Sequence, residues 1–312
     1  LSFVAIGLFV NGTPGLYNYP RINLLRWSAG RAITHPILIL AIKIIALAVF
    51  LLVIVAGLIG SELPRDNLAP TMIWIIWWVG LAYISAILGD VWTLINPWKT
   101  VFEWVHILYL KLGFEGELSF NHPYPERLGV WPGVILFFAF AWVESVYSQA
   151  AMPLRIAQLM LAYSLITWIG MLLFGKDIWL KHGEAFSLVF GLLARFSPTE
   201  FRVKSSKVCL DCPMNCGYED DNCVNCSQCF KKAPDSKREL NLRPFAVGLL
   251  RNESISSSMT IFVILMLSTV TYDGFTATPL WREIQTDAYK IIPDLTYINS
   301  LGLIIFPLIF VA

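Results

Sequence analysis

Residues 37–59 read ILILAIKIIALAVFLLVIVAGLI, and Lys43 is the only charged side chain in this stretch. A helix needs about 20 mostly apolar residues to cross the hydrocarbon core of a bilayer. Because no water is present at that depth, the backbone must satisfy its own hydrogen bonds, as a helix does. The stretch therefore predicts a transmembrane helix.

The composition of the whole chain agrees with a membrane protein. Of its 312 residues, 56% are hydrophobic and 14% are charged, whereas soluble domains contain about 25% charged residues. The formal net charge of +1 gives no indication of nucleic-acid binding.

Further apolar stretches occur on both sides of residues 37–59. They cover residues 1–10, 71–89, 128–147, 153–174, 254–272 and 295 onward. Alternating segments of about ten residues, which a membrane β-barrel requires, are not seen. The sequence predicts an all-α fold, a polytopic membrane helix bundle of about seven spans. Because the chain begins and ends inside apolar stretches, we expect both terminal spans to be truncated.

All six cysteines of the chain lie in residues 209–229, which read CLDCPMNCGYEDDNCVNCSQC. They form two triplets, C-x2-C-x3-C and C-x2-C-x2-C. Two thiolates separated by two residues can both face one ion, which is how tetrathiolate zinc sites and iron–sulfur clusters are built. The pattern predicts a metal centre whose ligands are Cys209, Cys212, Cys216, Cys223, Cys226 and Cys229.

The distribution of basic residues predicts the side of the membrane that carries the cysteines. One alternating set of connections holds 18 of the 23 Lys and Arg residues, and the other holds only Arg65, Arg155, Arg282 and Lys290. The positive-inside rule then places the cysteine-rich stretch on the cytoplasmic side of the cell membrane. Since cytosolic thiols are kept reduced, bound metal is favoured over disulfides. Three disulfides are the alternative if the orientation is inverted.

The spacing of the second triplet favours an iron–sulfur cluster. The run from Cys223 to Cys229, followed by Ala233-Pro234, resembles the bacterial ferredoxin run, in which a fourth cysteine precedes the proline. Since Ala233 occupies that position, a cysteine of the first triplet must complete the site. The first triplet resembles the one that opens the iron–sulfur domain of molybdopterin oxidoreductases. Six thiolates cannot ligate two four-cysteine clusters, so the sequence predicts one [4Fe–4S] cluster.

Zinc is the alternative metal, because a zinc ribbon needs only a CxxC…CxxC pair. Cys209, Cys212, Cys226 and Cys229 supply that pattern. In either case the stretch has few apolar residues with which to build a core. We therefore expect it to be ordered only when metal is bound. The predicted domains are membrane helices in 1–202, the cysteine-rich module in 203–238, and further membrane helices in 239–312.

Several short sequence motifs along the chain resemble those of a known family. They are Leu88-Gly-Asp90-Val-Trp92, Asn96-Pro97-Trp98, Tyr124-Pro-Glu126-Arg127-Leu-Gly129, Phe140-Ala-Trp142-Val-Glu144, Gly183-Glu184-Ala-Phe186, Arg195-Phe-Ser197-Pro198 and Tyr272-Asp273-Gly274. In this order they resemble bacterial polytopic membrane proteins labelled fenitrothion hydrolase. The resemblance implies seven or more helices and hydrolysis of organophosphate triesters, but it identifies no catalytic residue in this chain. Residues 203–238 depart from the family as an insertion.

Together these features predict an integral membrane subunit that carries a cysteine-ligated metal centre. We expect it to be a redox component or a structural and assembly component of a membrane complex. Its expected partners are the lipid bilayer and other subunits of that complex. The alternative is the membrane-bound phosphotriester hydrolase that the resemblance implies.

Overall fold

The computed structural model describes residues 19–204, 208, 212, 218–219, 222–250 and 255–311. The helices are α1 Ser28–Ile33, α2 Pro36–Ile59, α3 Leu68–Leu88, α4 Trp92–Ile95, α5 Pro97–Lys111, α6 Glu126–Ser145, α7 Pro153–Phe174, α8 Lys176–His182, α9 Ala185–Leu193, α10 Ser227–Lys232, α11 Ser257–Thr276, α12 Pro279–Tyr289 and α13 Leu295–Val311. The strands are β1 Ile22–Asn23, β2 Thr199–Val203, β3 Tyr218–Glu219, β4 Asn222–Val224 and β5 Arg238–Leu242.

Five helices in the described part of the chain are long and apolar enough to cross a membrane. They are α2, α3, α6, α7 and α11, with 20 to 24 residues each. Each coincides with a predicted span, so the helical membrane class is confirmed. Helix α13 is also apolar but has 17 residues, and residues 1–10 lie outside the described part. The number of about seven spans therefore stays a prediction.

The chain forms two compact units whose segments alternate along the sequence. The first comprises residues 1–48, 77–97 and 190–254, and the second comprises 49–76, 98–189 and 255–312. In the second unit, Tyr272 of α11, Trp281 of α12 and Leu303 of α13 form a buried cluster with Val146. The cysteine-rich stretch belongs to the first unit, and its predicted limits at 203 and 238 stay a prediction.

The first unit contains a five-stranded antiparallel sheet, with the strand order β1-β5-β2-β4-β3. An all-α description of the chain is therefore incomplete. The strands are only two to five residues long, so they carry too few alternating positions to stand out in a hydropathy pattern. Strands β2 and β5 pair along their whole length, from Thr199 opposite Leu242 to Val203 opposite Arg238.

The first residue of strand β2 contacts the C-terminal end of α3, which is one of the candidate spans. Helix α3 ends before Gly89, whose φ of +113° is a conformation that side chains disfavour. The hydroxyl of Thr199, at the start of β2, donates a 2.6 Å hydrogen bond to the carbonyl oxygen of Leu88. A Cβ atom at position 89 would lie 2.3 Å from that hydroxyl oxygen. Glycine therefore permits both the helix end and the close approach of the strand.

Candidate metal centre

The second cysteine triplet starts on β4 and is held by the neighbouring strand. Cys223 lies opposite Val203 of β2. Asn225 adopts a left-handed φ of +54°, which Asn tolerates better than most residues. Its backbone N–H donates to the carbonyl of Phe201 at 2.8 Å, and its side-chain oxygen accepts from the Phe201 N–H at 2.9 Å. These two bonds fix the tight turn between Cys223 and Cys226.

A short helix then returns the third cysteine of the triplet to the same place. Cys226 is the N-cap of α10, and Cys229 lies in the first turn of that helix. The guanidinium of Arg238 on β5 donates to the carbonyls of Ala233 and Lys231, at 2.7 and 2.9 Å, near the other end of α10. Phe230 packs edge-on against Phe201. The helix is thereby fixed to the sheet.

The thiols of both triplets meet at this point. The sulfur atoms of Cys212, Cys226 and Cys229 all lie within 4.8 Å of one another, and those of Cys212 and Cys226 are 3.8 Å apart. Cys223 packs in the same buried cluster as Cys229. The arrangement thus brings three thiols together, one from the first triplet and two from the second, and places Cys223 beside them.

The cluster lies against a small apolar core, which the sequence did not predict. Val203, Cys223, Cys229 and Ala233 are almost fully buried, and Val208 and Phe230 pack against them. The expectation that this stretch lacks a core of its own was therefore wrong in part. Among the residues that the structure describes, this core contains four almost fully buried side chains, two from cysteines, one from β2 and one that directly follows α10. A core of this size is too small to stabilise a module without further links.

The cysteine side chains differ in their tendency to ionise. The hydrogen bond with Cys223, assisted by the backbone N–H of Cys229, lowers the pKa of the Cys226 thiol although its burial acts in the opposite direction. Burial raises the pKa of the Cys229 thiol. Metals bind the thiolate form.

Four of the six predicted ligands lie in the described part of the chain. Cys212, Cys226 and Cys229 are grouped, and Cys223 packs in the same buried cluster. Cys209 and Cys216 lie outside the described residues. For the thiolate that must come from the first triplet, the sequence left Cys209, Cys212 and Cys216 as equal candidates. The structure brings Cys212 to the second triplet.

Next to the cysteine module, β2 carries a buried ionic cluster that sequence reasoning missed. The Glu200 carboxylate is fully buried and accepts from the Tyr19 hydroxyl. Its oxygens lie 2.9 Å from Nε of Arg202, 3.0 Å from Nη1 of Arg243 and 3.4 Å from Nε of Arg21. Burial alone would raise the pKa of Glu200, but the Tyr19 hydrogen bond and the charges of Arg202 and Arg243 lower it overall. No local motif identifies such a cluster, because its members are up to 224 positions apart in the sequence.

Comparisons with known proteins add no assignment, since no family model, curated protein or solved structure matches the chain. Within the described residues, the three cysteines are also the only group of at least three metal-binding side chains close enough to share an ion. No described group of histidines corresponds to the binuclear site of soluble phosphotriesterases.

Proposed function

We propose that the protein is an integral membrane subunit whose cysteine module is folded by one tetrahedral Zn²⁺ ion, bound by Cys212, Cys223, Cys226 and Cys229. The observation that carries this proposal is the 3.8 Å separation between the sulfur atoms of Cys212 and Cys226. With Zn–S bonds of about 2.3 Å, two ligands of a tetrahedral ion lie ~3.8 Å apart. The donor set, which consists only of thiols, is also the one that structural zinc sites prefer.

The same spacing favours one ion over an iron–sulfur cluster. In a [4Fe–4S] cluster each thiolate binds a different iron atom, so the four sulfur atoms surround a larger body than one ion. Three sulfur atoms within 4.8 Å of one another leave room for an ion between them. The [4Fe–4S] cluster is the alternative outcome of the metal analysis below.

Four protein ligands give the metal a structural role. Catalytic zinc keeps one position for water or substrate, whereas structural sites are closed by four side chains. Binding energy of such an ion contributes directly to folding. The module is thus a small metal-stabilised domain attached to the membrane helices. Its proposed role is to contact other subunits of a membrane complex on the cytoplasmic side.

Metal analysis of the purified protein tests the proposal. We expect one zinc atom per chain and no visible absorption band, because Zn²⁺ has a filled d shell. Iron together with acid-labile sulfide and a visible absorption band would contradict zinc and support a cluster. Protein that is folded but holds neither metal, even after reconstitution under reducing conditions, would contradict a metal centre of either kind.

The position of the module can be tested without any substitution, because all six cysteines lie in residues 209–229. When intact cells are treated with a membrane-impermeant maleimide, we expect the protein to remain unlabelled. After permeabilisation and chelation of the metal, the cysteines should react. Labelling of intact cells would place the module outside, where disulfides become the favoured state of the cysteines.

A further inference from the structure

The second compact unit contains a cavity of about 400 Å³ that the proposed metal centre does not use. It lies beside the end of α7 and the helix α8, and it is lined by His122, Tyr124, Glu126, Phe174, Ile178 and His182, among others. Its volume is within the range of about 300–1,000 Å³ that is typical of small-molecule sites.

The walls of the cavity are fixed by backbone and aromatic contacts. The N–H groups of Phe120 and His122 donate to the carbonyls of Leu172 and Leu173, at 2.7 and 2.8 Å, at the C-terminal end of α7. The Tyr124 hydroxyl donates to the carbonyl of Gly129 at 2.8 Å. These bonds hold the segment from Phe120 to Gly129 against the helices, so the cavity is formed before any ligand binds.

Aromatic rings make up one side of the cavity. The ring of Tyr124 stacks on the imidazole of His182, with the ring centres 5.0 Å apart, and meets Phe174 edge-on at 5.3 Å. Planar aromatic ligands gain from offset or edge-on contacts with such rings.

His182 presents a hydrogen-bond acceptor. Its Nδ1 atom lies 3.0 Å from the carbonyl oxygen of Ile178. Since a carbonyl can only accept, Nδ1 must carry a proton, and in the neutral ring Nε2 then has a free lone pair. Burial, together with the nearby charge of Lys181, lowers the pKa of His182, which keeps the ring neutral at pH 7.

The charges around the cavity select against an anionic ligand. The carboxylate of Glu126 in the lining repels an anion, and a neutral imidazole cannot pair with one. The positive charge of Lys181 acts on the same imidazole and disfavours a cation beside it. A neutral ligand with an O–H donor satisfies Nε2 without either penalty.

We propose that this cavity binds a neutral aromatic alcohol of the phenol class, whose ring packs against Tyr124 and Phe174 and whose hydroxyl donates to Nε2 of His182. This site is independent of the zinc centre, because no residue that lines the cavity belongs to the cysteine module.

The proposal is tested by measuring how phenol and anisole bind to the purified whole protein in detergent. Binding is monitored by saturation-transfer NMR. Anisole has the same ring but no O–H group, and the partitioning of each ligand into the micelle is subtracted with protein-free micelles. We expect phenol to bind about tenfold more tightly, as one lost hydrogen bond implies. In the variant His182→Phe, which keeps an aromatic ring against Tyr124, the two affinities should become equal. The variant His35→Phe, whose histidine is exposed and outside the cavity, is the control and should keep the preference.

Three results would overturn the proposal. They are equal affinities for phenol and anisole in the unmodified protein, an unchanged preference in folded His182→Phe, and tighter binding of benzylammonium than of phenol. If His182→Phe does not fold, the comparison of the two ligands on the unmodified protein still decides.

Discussion

Replacing Cys226 with serine is expected to release the metal and to open the cysteine module to trypsin between Lys204 and Arg238. The effect should be large, because thiolate binding of structural zinc supplies on the order of 10 kcal/mol of apparent free energy. In the described part of the module, the apolar core has four buried side chains, two of which are cysteines. Zinc content and the time course of trypsin cleavage measure the loss, and circular dichroism should show that the membrane helices persist.

Serine substitutions at Cys209 and Cys216 are the matched controls. If the ligands are Cys212, Cys223, Cys226 and Cys229, both control variants should retain one zinc atom and the cleavage rate of the unmodified protein. Loss of zinc in Cys209→Ser together with its retention in Cys223→Ser would instead support the ribbon set of Cys209, Cys212, Cys226 and Cys229. Equal trypsin resistance of the metal-free and metal-loaded protein would show that metal does not organise this stretch.

The substitution Glu200→Ala is expected to lower the free energy of unfolding by about 3–5 kcal/mol, the cost of removing one partner from a buried ion pair. The carboxylate is fully buried, and its oxygens lie within 3.4 Å of the guanidinium groups of Arg21, Arg202 and Arg243, so its removal deletes three close ionic contacts at once. The midpoint of chemical unfolding, followed by tryptophan fluorescence in detergent, measures this change. Zinc retention reports whether the sheet that carries the cysteines is still formed.

Glu239 on the neighbouring strand provides the control for this substitution. It pairs with Lys204 at 2.6 Å, but the lysine side chain is 57% exposed. Ion pairs of this kind contribute about 0–1 kcal/mol, so Glu239→Gln should have little effect. An equal loss in the two variants would show that the buried cluster has no special role in stability.

The cluster also predicts a dependence of stability on pH. The folded pKa of Glu200 is held below its ordinary value of 4.5. Its contribution to stability is therefore complete above pH 4.5 and is lost as the pH falls through the lowered folded value. In Glu200→Gln this part of the acid sensitivity should disappear. Unfolding curves of both proteins between pH 6 and pH 3 test this expectation, and parallel curves would contradict it.

The membrane class could be predicted from the sequence because a spanning helix is a local property. Residues 37–59 exceed the length that a bilayer requires, and any apolar stretch of that length must satisfy its backbone as a helix. The five long apolar helices of the described residues therefore coincide with predicted spans. Likewise, the cysteine spacing indicated a metal centre, because ligands two or three residues apart meet through a single turn.

Only the tertiary structure decided which cysteines meet and what supports them. Cys212 reaches Cys226 across 14 positions, and the sulfur positions depend on the pairing of β4 with β2. The alternation of Phe201 and Val203 was a signal for β2, but five residues are too few to distinguish a strand from a loop. The cluster around Glu200 joins residues from three distant segments, and no local pattern records such a contact. Strand pairing places Asn241 of β5 opposite Glu200, and Arg243, which directly follows β5, reaches the Glu200 carboxylate at 3.0 Å.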